Sequence, residues 1–125
     1  MDAEFIRELF REFGPVQVRR MFGGAGIYAD GVIFGIVVAD QIYLKADVST
    51  APGFEREGCR PFEYSTKAGK HAVMPYWRLP DRLYDDADEL AQWARQALAV
   101  AHVKNVAKPR KALAGKKRVA KKAKR

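Results

Sequence analysis

Near the N-terminus, apolar residues recur at helical spacing. Phe5, Ile6, Leu9, Phe10 and Phe13 line one side, with Arg7, Glu8, Arg11 and Glu12 on the other, which predicts an amphipathic helix over residues 2–13. Asp2 is placed to cap its start, and Gly14-Pro15 to stop it. The pattern then changes period. "VQVRRMF" (16–22) begins with strict alternation, "AGIYA" (25–29) follows the glycines, and "VIFGIVV" (32–38) is apolar on both faces. The first two read as strands and the third as a central strand. Asp30-Gly31 is a two-residue hairpin turn, because both positions tolerate positive φ. Ala39-Asp40-Gln41 turns the chain into a fourth strand, "IYLKA" (42–46).

After Ala46 the texture is different. Thr50 as N-cap, Pro52 in the first turn and Gly58 as a stop predict a short helix over Thr50–Glu57. "PFEYS" and "HAVMPYWRL" read as strands on either side of the polar loop "TKAGK". Pro75 makes the second of them an edge strand or a bulged one. The clearest helix follows. Asp86 caps it, Glu89 sits at capping-box spacing, and Leu90, Trp93, Ala94, Ala97, Leu98 and Ala101 form its apolar stripe. Turns of hairpin length cannot make parallel crossovers. The expected fold is therefore α+β, with two layers: a mainly antiparallel sheet with helices on one face.

Gly24-Ala25-Gly26-Ile27-Tyr28-Ala29 fits G-x-G-x-x-A, the pattern of a dinucleotide-binding loop. That fingerprint needs a helix opening at the glycines, where the pyrophosphate rests. Here a strand, an Asp-Gly turn and another strand follow instead. Gly23, Gly24 and Gly26 are read as conformational, allowing a bend and a close packing neighbour. Gly35 is expected to leave room for a large side chain on the facing helix.

Charge divides the 125-residue chain in two. From His102 onward there are eleven basic residues and no acid: Lys104, Lys108, Arg110, Lys111, Lys116, Lys117, Arg118, Lys121, Lys122, Lys124 and Arg125. The other 12 basic residues share positions 1–101 with all 15 acids, a net of −3. The division predicts a domain over residues 1–103 and a tail over 104–125 that is disordered when unbound, having too little apolar surface to offset the entropy of ordering. The tail is similar in composition to linker-histone tails. A polyanion is its expected partner, and DNA bound without sequence preference the foremost one. The eleven residues are its predicted contacts.

The rest of the chemistry favours structural roles. Cys59, His71 and His102 are too few and too scattered for a nucleophile–base pair or a zinc set. Asp81, Asp85, Asp86, Asp88 and Glu89 are accounted for by helix capping and dipole complementation. Tyr43, Tyr64, Tyr76 and Trp77 are placed to form a base-stacking platform, but packing within the core and on the sheet is the preferred reading. Arg19-Arg20 and Lys45 read as a modest, solvated basic surface. No catalytic, cofactor-binding or metal-binding residue is predicted. One cysteine, an N-terminus without signal-peptide character and no apolar run near the ~18 residues of a membrane span point to a cytoplasmic protein, with nucleoid association through the tail.

"RRMFGGAGIYADGVIFGIVVADQIYLKAD", "FEREGCRPFEY", "MPYWRLPD" and "ELAQWARQAL" together resemble the TfoX/Sxy N-terminal domain family, from about Arg11 to Val100. The resemblance implies a secretion-chaperone-like arrangement, α-β3-α-β2-α, with one strand fewer before the second helix than the residues predict. Family members with a second domain regulate natural competence and co-activate transcription with a cyclic-AMP-responsive activator. This chain carries a basic tail where they carry that domain. The resemblance implies a non-enzymatic regulatory or accessory protein, with a protein of the transcription machinery or a second copy of itself as further partner. The alternative is a protein–protein interaction module with no nucleic-acid role.

Overall fold

In the computed structural model, which describes residues 1–21, 23–65, 69 and 71–107, Asp2 starts the first helix as its position predicts. Its carboxylate accepts the Phe5 N–H at 2.8 Å. Helix α1 runs Ala3–Leu9 and is shorter than predicted. Beyond Phe10 the bonds become turn-like, with Phe13 N–H donating to the Phe10 carbonyl at 2.9 Å. Phe10 and Phe13 still pack as the periodicity requires, with ring centres 5.8 Å and 5.2 Å from that of Phe34.

Four strands follow: β1 (Gln17–Met21), β2 (Gly24–Ala29), β3 (Val32–Val38) and β4 (Gln41–Lys45). This matches the residue-by-residue count rather than the three strands implied by resemblance. The extra strand arises where the chain reverses between Met21 and Gly24, which pair across the β1–β2 ladder. Asp30 and Gly31 take φ of 53° and 75°, the turn expected of Asp-Gly. Ala39 and Asp40 form a second such reversal at 51° and 61° with no glycine.

Helix α2 (Ala51–Arg56) leads to β5 (Pro61–Ser65) and β6 (His71–Arg78). Thr50 does not cap α2 with its side chain. Its hydroxyl accepts the Asp47 N–H instead, while the Asp47 carboxylate takes the Ser49 hydroxyl and the N–H groups of Ser49 and Thr50. The bond from the Ser49 hydroxyl comes first in holding the Asp47 carboxyl below its ordinary range.

All strand pairs are antiparallel, in the order β1-β2-β3-β4-β6-β5. β3 is central, as its two apolar faces predict. β6 is not an edge strand: it lies between β4 and β5. Pro75 is tolerated because the β4 ladder ends at Lys45↔Tyr76, and beyond it the Pro75 carbonyl accepts the Ala46 N–H. On its other side the β5 register shifts between Pro61 and Glu63. The bulge was legible in the proline; the edge position was not.

Register sorts the sheet residues into two faces. Ala25, Ile27, Val37, Ile42, Leu44 and Trp77 share one. On it lies the core, closed by Ile6, Leu9 and Phe10 of α1, Phe54 of α2 and the apolar stripe of the last helix. The helices thus cover one face of an α+β, two-layer fold. Gly35 belongs to this face, but its nearest neighbours are the Tyr43 carbonyl and the Leu44 and Ile27 side chains. It makes room for adjoining strands, not for a helix side chain.

The last helix, α3 (Ala87–Ala107), starts at Asp86, whose carboxylate accepts the Glu89 N–H at 3.1 Å. The Glu89 side chain does not return the bond. It binds Arg82 instead, which also holds Glu57. One guanidinium therefore ties the 3-10 turn Asp81–Asp85 to α2 and α3. Its hydrogen bonds hold both carboxyls below their ordinary value of 4.5. Groups with depressed folded pKa values contribute stability above the unfolded value and lose it as pH falls through the folded one. Arg82→Gln is therefore expected to lower the melting temperature at about pH 6 and to differ less from wild type at about pH 3. Thermal melts across that range check it; a constant gap would show that the bridge carries no such contribution.

Candidate functional site

Of the eleven predicted tail contacts, the described residues include only Lys104. It lies in α3, which continues to Ala107, past the predicted boundary at residue 103. Lys108, Arg110, Lys111, Lys116, Lys117, Arg118, Lys121, Lys122, Lys124 and Arg125 lie outside the described residues. The structure does locate the root of the tail. The His102 imidazole sits 3.5 Å from the Asp30 carboxylate, so the end of α3 lies against the β2–β3 turn.

The glycines form no phosphate cradle. Gly24 and Gly26 belong to β2, and a strand, a tight turn and β3 follow. A Cβ on Gly24 would overlap the Val37 carbonyl oxygen, so the requirement there is close backbone approach. Beside this loop a groove of about 750 Å³ opens between the start of α1 and β1–β3, lined by Met1, Val18, Arg20, Val37 and Asp40 among others. Within it the N-terminal ammonium donates to the Asp40 carboxylate, a bond that raises the pKa of the amine.

Cys59 is half-buried in a second groove of about 420 Å³, with Arg60, Arg78, Asp81 and Arg82 along its walls. Burial comes first in raising the pKa of its thiol, the opposite of activation. Cys59 precedes Pro61, which pairs with Trp77, whereas His71 begins β6 at the far end of the same ladder. Six residues of strand, about 20 Å, separate Trp77 from His71. His102 is engaged with Asp30. The structure does not bring these residues together, and among the described residues no three His, Cys, Asp or Glu side chains cluster as metal ligands. Asp86 caps α3 as predicted, whereas Asp81 pairs with Arg78 at 3.2 Å and Glu89 with Arg82, side-chain bridges that the capping reading did not include.

The aromatic and basic candidates separate by face. Trp77 points into the core, 6.1 Å from Phe54, and the Tyr64 side chain lies outside the described residues. Tyr43 and Tyr76 lie on the other face, which no helix of the core layer covers. Arg19 and Arg20 do not form one surface, because successive strand residues point oppositely. Arg19 pairs with Gly26 on the helix-free face and stacks over Tyr28 at 4.8 Å. Arg20 pairs with Ala25 and rims the α1 groove. Lys45 lies 5.2 Å from the Tyr76 ring centre. Sequence reasoning missed Tyr28, whose one signal was its parity with Gly26 along β2.

A family model, the TfoX N-terminal domain, matches residues 8–101. The chain belongs to the TfoX N-terminal domain family. The matched span covers α1 from its last turn, all six strands and α3 up to Ala101, and ends before all eleven basic residues of the tail. No curated protein matches the chain. Family membership supports a regulatory, accessory role of the competence type. Among the described residues no helix is long and apolar enough to cross a membrane.

Proposed function

We propose that this TfoX-type protein is a non-enzymatic, DNA-associated accessory regulator, cytoplasmic and held at the nucleoid by its basic tail. The observation that carries the reading is the charge partition: eleven Lys and Arg without an acid from residue 102 on, against a domain of net −3. Such a segment binds duplex phosphates and releases their counterions without reading bases. The domain is suited to a different task. Of its described helices α1 and α2 are short, and α3 lays its apolar stripe against the sheet, so none projects to enter a major groove. Sequence preference would then come from a protein partner of the transcription machinery, or from a second copy in a homodimer.

The test is recovery from a native lysate with and without nuclease. The expected result is that DNA accompanies the full chain and that most co-purifying proteins leave after nuclease treatment. Proteins retained in full after nuclease, with no DNA before it, would favour the protein-interaction module.

A further inference from the structure

The sheet face opposite the core carries a second, separate possibility for contact. Register places Arg19, Tyr28, Ile36, Tyr43, Lys45 and Arg78 on it. None of these belongs to the core cluster. Tyr28, Ile36 and Tyr43 are half-buried, and Arg19 is exposed. Across β1–β4 and β6 the positions that register assigns to this face include three cations and no carboxylate, in a domain that is net negative. Arg78 is tied to Asp81 at 3.2 Å, the Arg19 guanidinium lies over the Tyr28 ring, and Lys45 lies over the Tyr76 ring and makes a further contact within the protein. The Tyr43 ring is held edge-on by Phe62, with centres 5.2 Å apart, and Tyr43 stands two strands from Tyr28 and, opposite Ile36 rather than Ile33, also displaced along β3, about 12–14 Å away in all.

Rings and cations on one face, with Asp81 the acid bound to Arg78, match the chemistry of unpaired nucleotides: bases that stack and phosphates that need countercharge. Charge decides against a second copy of the chain, since self-mating would set Arg19, Lys45 and Arg78 against their own kind. A sheet face with no helix on it also has no element to enter the groove of a duplex. Asp30, two residues after Tyr28, holds His102 of α3 against the β2–β3 turn.

We propose that the helix-free face of the sheet binds single-stranded nucleic acid, with bases stacking on Tyr28 and Tyr43 and phosphates meeting Arg19 and Lys45. This site is distinct from the tail and does not depend on the tail binding duplex DNA.

The experiment titrates the full chain with an oligothymidylate and an oligouridylate of about 15 nucleotides, and with a duplex of equal length. The double variant Tyr28→Leu with Tyr43→Leu keeps apolar bulk and removes the stacking rings. It is expected to lose at least about tenfold in affinity for the single strands and to leave duplex affinity unchanged. A preference for the uridylate assigns RNA as the natural strand, and a preference for the thymidylate assigns DNA; either supports the site. In the wild type, backbone amide shifts on adding oligothymidylate should centre on β2 and β4, which tests the site even if the variant folds poorly. Unchanged single-strand affinity in a folded variant would overturn the proposal. So would shifts confined to the tail, or self-association that the variant abolishes.

Discussion

A valine at position 24 is expected to cost the domain about 3 kcal/mol or more, a substantial part of the stability of a small fold. The reason is what a Cβ would meet there. At Gly24 it overlaps the Val37 carbonyl oxygen, a backbone atom beside the β2–β3 pair Ala25↔Val37. That oxygen cannot yield without parting the strands. Gly26 provides the contrast within the same strand. There a Cβ would meet the Met21 Cε at 2.6 Å and the Ile33 Cδ1 and Tyr28 Cε1 at 2.9 Å. The Met21 and Ile33 atoms are the ends of flexible side chains on the helix-free face and can swing aside, and the Tyr28 ring must shift with them. Gly26→Val should cost about 1 kcal/mol, and thermal melts should separate the two variants by roughly 10 °C or more. Equal melting temperatures would refute the close-approach explanation. The same melts test the phosphate-loop alternative: NAD or ATP at about millimolar concentration should leave the wild-type midpoint where it is, since no binding means no linkage.

The second large effect is electrostatic. If the tail engages about six to eight phosphates, log affinity for duplex DNA should fall against log salt with a slope of roughly −5 to −7. Between about 50 and 200 mM salt the affinity should drop by about three orders of magnitude. Base sequence should matter little, because phosphate contacts carry no sequence information. Each Lys→Ala change in the tail should flatten the slope by about one and leave base preference untouched. Titrations at several salt concentrations, read by fluorescence anisotropy, measure both quantities. A slope near zero would mean that binding, if present, does not run through the tail.

Local chemistry made much of the fold legible. Asp2 and Asp86 cap the helices their positions announced, and Asp30-Gly31 turns with both φ positive. The uninterrupted apolar run of β3 lies at the centre of the sheet. What escaped depends on long-range register. β4 pairs with β6 and not with β5, so the strand carrying Pro75 lies inside the sheet, and the proline signalled only its bulge. Thr50 carried the cap signal for α2, but Asp47, three residues earlier, takes up the N–H groups. The Arg82 bridge joins residues that are 25 and 7 positions apart, and no periodicity connects them.

The candidate sites divide in the same way. The charge asymmetry of the tail is a one-dimensional property and was visible without coordinates. The helix-free face is not. Tyr28 and Tyr43 are 15 residues apart and share a surface only because register through β3 puts both on one side. Trp77, adjacent to Tyr76, looked like part of the same aromatic set and lies instead against Phe54 in the core.

The most direct test of the functional reading is a side-by-side measurement of duplex DNA affinity for the full chain and for a chain ending at Ala107, both at about 50 mM salt. Ending at Ala107 keeps the whole of α3 and removes ten of the eleven tail cations. The predicted result is nanomolar-to-micromolar binding by the full chain, with the shortened chain weaker by at least about a hundredfold and its melting temperature nearly unchanged. Equal affinity of the two chains, or no binding by either, would contradict the proposal that the tail holds this protein on DNA.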